Sequence, residues 1–381
     1  MKLKPLLNIL GALLSILGIT MVVPIFISLG YGESDLNGLL YSAVICIGIG
    51  SPIWLMTRHQ RPLTNRDGFA IVTFSWIITA VAGALPFYFS GAIPNVTDAF
   101  FESMSGVTTT GASIIGNTMT LPNLPNGVES LPHGILFWRS FIQWIGGMGI
   151  VVFYIAILPL LGVGGVQLFK AEVPGPVADK ITPRVRETAK FLWIVYVGIT
   201  MLEAVALMLA GMDVFDSVCH SLTTMPTGGF STKSASIGHY DSSLIHYIII
   251  FFMFLAGINF SLHFRAINGD MKSYINDREF LVYLGGGIIV TFIIFLAVAL
   301  QNDQFSHLNF RESLFTTISI FTTTGFGSAD YELWPVIVQT ILLTLMFVGG
   351  MGGSTGGGMK VIRCMLLVKY AGLETRRMLH A

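Results

Sequence analysis

Thr108-Thr109-Thr110-Gly111, Met225-Pro226-Thr227-Gly228 and Thr322-Thr323-Thr324-Gly325 decide the fold. Each run precedes a long apolar segment and follows an acid: Asp98 and Glu312 stand thirteen positions before their glycines, Asp216 twelve. One such run would be an ordinary polar loop. Three at equivalent places between hydrophobic segments predict a repeated re-entrant unit, in which a half-helix enters a membrane and an extended Thr-Gly segment returns. Extended backbone of this kind can turn successive carbonyls to one axis and replace the hydration shell of a cation. Glycine opens backbone angles closed to other residues, and the threonine before it (Thr110, Thr227, Thr324) adds a hydroxyl oxygen. The acids are expected at the positive N-terminal ends of the half-helices, whose negative C-terminal ends face the cavity.

Composition sets the medium. The chain has 381 residues, 53% of them hydrophobic and only 11% charged, with a mean hydropathy of +0.73. Soluble domains carry about a quarter charged residues, so this is an integral membrane protein. Zero net charge argues against nucleic acid as a partner. Cys46, Cys219 and Cys364 lie far apart in or beside apolar stretches, without the spacing of a metal site or disulfide framework.

Segments long enough to span, at roughly 20 apolar residues each, are 5–29, 37–56, 69–90, 134–162, 191–211, 243–265, 279–300 and 334–368. The expected fold is all-α, with eight transmembrane helices and three re-entrant pore half-helices. It divides into an N-terminal two-helix unit (1–68) and three tandem helix–pore loop–helix repeats (69–170, 171–272, 273–381). On the predicted inner side lie 18 of the 21 lysines and arginines; Arg139, Lys233 and Arg311 are the exceptions. The positive-inside rule therefore places both termini in the cytoplasm.

The second informative stretch is Gly349-Gly350-Met351-Gly352-Gly353-Ser354-Thr355-Gly356-Gly357-Gly358, followed by Met359-Lys360. Seven of ten residues are glycine, each costing a helix about 1 kcal/mol relative to alanine. The last span should break here, as a flexible intramembrane gate on the cytoplasmic side of the filter. Close helix packing through small residues explains a GxxxG but not seven glycines. The stretch also misses the spacing of a phosphate loop and of a dinucleotide fingerprint. Gly146-Gly147-Met148-Gly149 reads as packing. Arg139, inside a span, is either functional or snorkels to the interface; Glu203 is expected to have a buried partner. No nucleophile–base pair or metal-ligand spacing points to an enzyme.

These motifs, with Pro226-Thr227-Gly228-Gly229-Phe230-Ser231-Thr232 and Gly353-Ser354-Thr355-Gly356-Gly357-Gly358-Met359-Lys360-Val361-Ile362-Arg363, closely resemble the Trk/Ktr/HKT superfamily of potassium transporters. The extra N-terminal helix pair points to its TrkH type, and the resemblance covers essentially the whole chain. It implies potassium uptake, with no organic cofactor, across a bacterial cytoplasmic membrane. Its filter would be Thr109, Thr110, Gly111, Thr227, Gly228, Thr323, Thr324 and Gly325, and its gate the 349–358 break with Lys360. It further implies a homodimer regulated by a cytoplasmic nucleotide-binding Trk or Ktr protein. The family pore has four repeats, whereas this sequence holds three. The expectation is a chain truncated before the fourth repeat, with a non-conducting subunit that binds the regulator as the alternative.

Overall fold

A computed structural model describes residues 3–58, 65–115, 127–147, 149 and 185–379. Apart from one bridge pairing Val348 with Met359, its regular structure is helical. The N-terminal pair is α1 (Leu3–Thr20) with α2 (Val22–Tyr31), then α3 (Leu36–Met56). Pro24 cannot donate to the Thr20 carbonyl, which is where α1 gives way to α2. The first triplet is α4 (Asn65–Phe89), α5 (Val96–Val107) and α6 (His133–Gly147). The second is α7 (Val185–Leu209), α8 (Val214–Thr224) and α9 (Ser243–Ala256), which continues as α10 (Phe260–Ile267). A short α11 (Lys272–Asn276) leads to the third: α12 (Arg278–Gln301), α13 (His307–Phe321) and α14 (Val336–Leu345). A final helix, α15 (Val361–Leu379), follows the glycine-rich stretch.

Among the described residues, five stretches are long and apolar enough to cross a membrane: Leu3–Tyr31, Leu36–Met56, Asp67–Phe89, Lys190–Leu209 and Arg278–Gln301. The chain is a multi-pass membrane protein, and its exposure pattern is inverted accordingly. Ile288, Ile289 and Phe292 of α12 point outward, while Ser103, Ser217, Thr223 and Thr317 on the half-helices are buried. Two expected spans are interrupted. The 243–265 span bends by 101° at Gly257-Ile258-Asn259, a break unanticipated in the sequence. The 334–368 span stops at Leu345 and resumes at Val361, as its glycines required. Of the 134–162 span, His133–Gly147 is helical; its remainder, and most of the 163–190 linker, lie outside the described residues.

Candidate ion filter and gate

The half-helices α5, α8 and α13 are too short to span. Asn95, Asp213 and Ser306 cap their N-termini, accepting from Thr97, Phe215 and Asn309 N–H. The expected caps Asp98, Asp216 and Glu312 do not hold these positions. Asp98 and Asp216 lie in the first turn; Glu312 sits further in, because α13 starts earlier. Asp216 instead accepts from Thr232 (2.7 Å) and Tyr240 (2.8 Å) and pairs with Lys233 (3.2 Å).

After each half-helix the backbone repeats one pattern. Thr109, Thr227 and Thr323 are left-handed (φ 55°, 55° and 62°), and so are Gly111, Gly229 and Gly325 (75°, 73° and 84°). The residues between them, Thr110, Gly228 and Thr324, are not. The hydrogen bonds repeat too: Thr109, Thr227 and Thr323 N–H reach back three residues, and Thr110, Gly228 and Thr324 N–H five. This shifts the second segment by one. The equivalent of Gly111 and Gly325 is Gly229, with Gly228 standing where Thr110 and Thr324 stand. In that register Asp216 also lies thirteen positions before its glycine. Side chains agree: Glu102 accepts from Ser113 (2.9 Å), and His220, at the same place in α8, bonds Ser231 (2.9 Å). The Thr-Gly spelling misled because Pro226-Thr227-Gly228-Gly229 offers two glycines, and only backbone conformation tells them apart.

The segments abut in order. A methyl group on Gly111 would lie 2.1 Å from the Gly228 carbonyl oxygen, and one on Gly229 2.0 Å from that of Thr324. At Gly325 nothing described lies within 4 Å. Among the described residues the first segment thus touches the second and the second the third.

Polar side chains brace it from outside. Arg139 is 3% exposed and fixed three ways: to Glu102 (2.7 Å), to the Ser231 carbonyl (2.9 Å), and 3.6 Å above the Phe230 ring. Glu102 also accepts from Ile114 N–H (3.1 Å). One buried ion pair thus joins the strands after the first and second segments, and Arg139 does not snorkel. Gln143 donates to the Gly228 carbonyl (2.9 Å) and accepts from Phe230 N–H (3.2 Å). In the Gly146-Gly147 pair, close packing is what the structure shows. Added methyls would meet the Val107 carbonyl at 1.9 Å and Pro226 at 2.2 Å. Away from the segments, Glu129 accepts from both the N–H and hydroxyl of Ser234. Burial pushes this carboxyl up, but the Ser234 bonds and nearby Lys233 hold it below the ordinary glutamate range. Glu203 differs from expectation: it is fully buried with neither oxygen hydrogen-bonded. The nearby Thr224 hydroxyl is committed to the His220 carbonyl (2.8 Å).

The glycine-rich loop docks against the inner ends of the half-helices and against the other broken span. Its base is zipped, Gly349 N–H to the Met359 carbonyl and Met359 N–H to that of Phe347, both 3.0 Å. Met351 N–H reaches the Gly257 carbonyl (2.8 Å), and Phe260 N–H that of Gly353 (3.1 Å). Two interrupted helices thus satisfy one another's freed backbone groups, as irregular backbone at membrane depth must. Thr355 Oγ1 lies 2.9 Å from the Met225 carbonyl and 3.1 Å from that of Ala256. Gly357 N–H donates to Thr323 Oγ1 (2.6 Å). Lys360 is buried and donates to the Gly356 carbonyl and the Ser354 hydroxyl. Glu102, Gln143 and Glu279 stand outside the motifs read from the sequence; only the acids carry a signal there, as carboxylates beside apolar runs.

A long helix, a capped half-helix and a left-handed Thr–X–Gly return, three times over, define a cation-transport fold. A family model described as TrkH, cation transport protein, matches residues 39–380. The chain is 42% identical to the Trk system potassium uptake protein TrkH of Escherichia coli strain K12, over all of this chain and 78% of that protein. It is 36% identical to TrkG of the same strain, over 97% and 75%. The crystal structure of the potassium transporter TrkH from Vibrio parahaemolyticus superposes with a TM-score of 0.86 at 39% identity, covering all of this chain and 77% of that one. This chain belongs to the TrkH family.

Proposed function

We propose that the chain carries potassium into a bacterial cell across the cytoplasmic membrane. Its ion path is lined by Thr109, Thr110, Gly111, Thr227, Gly228, Gly229, Thr323, Thr324 and Gly325. The shared left-handed pattern of the three segments carries this reading. Alternating the sign of φ turns carbonyls to one side, and each half-helix adds a partly negative C-terminus behind them. Potassium is cargo here, and the reading requires no organic cofactor. The loop 349–358 with Lys360 is the gate, docked on the second and third segments from the cytoplasmic side. Units 1–68, 69–170, 171–272 and 273–381 are the N-terminal pair and three pore repeats, with both termini cytoplasmic. Assembly as a homodimer and control by a nucleotide-binding Trk or Ktr regulatory protein follow the family resemblance.

Growth of a potassium-uptake-deficient bacterium at low potassium, with rubidium uptake, tests the reading. Gly229→Ala should abolish rescue, and uptake unchanged by it would end the filter assignment. A second reading is a non-conducting subunit that binds the regulator; among the described residues, a methyl group at Gly325 would meet no neighbouring segment. Rescue by the 381-residue form alone would remove that reading.

A further inference from the structure

Glu279 stands at the start of α12, outside every motif discussed above, and is 9% exposed. Its Oε1 accepts two backbone N–H groups, Gly352 at 2.8 Å and Ile362 at 3.0 Å. Gly352 lies in the first half of the glycine-rich loop and Ile362 in the helix that follows it, ten residues apart. One oxygen atom therefore ties the first half of the loop to the start of α15. Ile362 is in the first turn of α15, which has no acidic residue of its own there. Helix N-termini leave unsatisfied N–H groups and favour negative charge, so Glu279 caps α15 from another helix. The neighbouring α12 cap is independent: Asp277 accepts from Phe280 N–H (2.8 Å).

The rest of the loop is held by separate bonds: its base pairs Gly349 and Phe347 with Met359, and Met351 and Gly353 pair with Gly257 and Phe260. Its middle touches the filter through Thr355 and through the Gly357 bond to Thr323. Neither Glu279 bond involves these residues. The middle can leave the filter while the ends stay fixed.

We propose that Glu279 is the positioning residue of the gate: the loop moves as a flap whose first half and following helix are pinned to one carboxylate oxygen. This rests on the reading of 349–358 as a gate, but its structural half can be tested without transport. Breaking the pin loosens Gly352 and Ile362; breaking the middle contacts frees only the flap.

Hydrogen exchange on the full chain in lipid nanodiscs reads the pin directly. In Glu279→Ala, exchange at Gly352 and Ile362 should rise by tenfold or more, with α8 (Val214–Thr224) unchanged. In Glu279→Gln, an oxygen acceptor remains and the rise should stay below about threefold, since hydrogen bonds to neutral groups are weaker, not absent. Unchanged exchange in Glu279→Ala would overturn the proposal. So would equal effects of Ala and Gln, or loss of α8 protection in both, since Glu279 would then be a general fold determinant. If the pin holds and Glu279→Ala leaves rubidium uptake unaltered in a rescuing strain, the gate reading fails while the pin stands.

Discussion

The filter segments and the glycine-rich loop are both Thr- and Gly-rich irregular backbone, yet they are held in opposite ways. Each filter segment closes on its own half-helix, with N–H groups reaching carbonyls three to six residues back. The loop reaches across the chain to Gly257, Glu279, Thr323 and Met225. Short-range closure makes a rigid element that forms with its helix. Long-range docking makes one that can detach without unfolding. The difference suits the filter and gate proposed for these two regions.

Breaking the filter's outer brace should have the largest effect. Arg139→Ala leaves Glu102 buried without its partner, at roughly 3–5 kcal/mol, seen as a fall in thermal midpoint; a shift under about 1 kcal/mol would show that the pair is not structural. Next comes the register. Gly229→Ala combines left-handed strain of about 1–2 kcal/mol with overlap at the Thr324 carbonyl. Gly325→Ala carries the strain with open space beside it. Rubidium uptake should therefore fall further in Gly229→Ala, and the reverse order would contradict the stacking of segments. A smaller effect belongs to the gate. Thr323→Val removes the acceptor of Gly357 N–H, worth about 1 kcal/mol net, so exchange at Gly357 should rise roughly fivefold while Gly352 stays protected. Loss of protection at both would show that the loop moves as one body, against the pinned flap.

The smallest effect lies outside both regions, at Glu129. A carboxyl held below its ordinary range stabilises the fold above that range and loses the contribution as pH falls through its lowered value. Glu129→Gln should flatten the acid-side decline in thermal midpoint by less than about 0.5 kcal/mol, given its exposure. An unchanged profile would show that the Ser234 tie is not charge-dependent.

What could be read in advance follows the same division. The half-helices and Thr-Gly returns were legible because their spacing and hydrogen bonds lie within some twenty residues of sequence. Even so, the Thr-Gly spelling points to Gly228 where the backbone uses Gly229, since spelling does not report φ. The loop's glycines announced a break but not its partners. The 101° bend at Gly257-Ile258-Asn259 gave no warning, because Ser243–Ala256 and the start of the next helix read as one apolar run.

The sequence by itself determined an all-α membrane protein with a tripled re-entrant unit and one helix broken by glycine. Hydropathy, charge bias and local backbone preference act over short stretches, and that is enough for these. Only the tertiary structure decided which glycine belongs to the second segment and that Arg139 pairs with Glu102. It also decided that the two broken helices dock, and that Glu279 ties the loop to the helix after it. The last three depend on partners 37 to 94 residues apart, which a low-dielectric interior forces to find one another because an unpaired polar group there is costly.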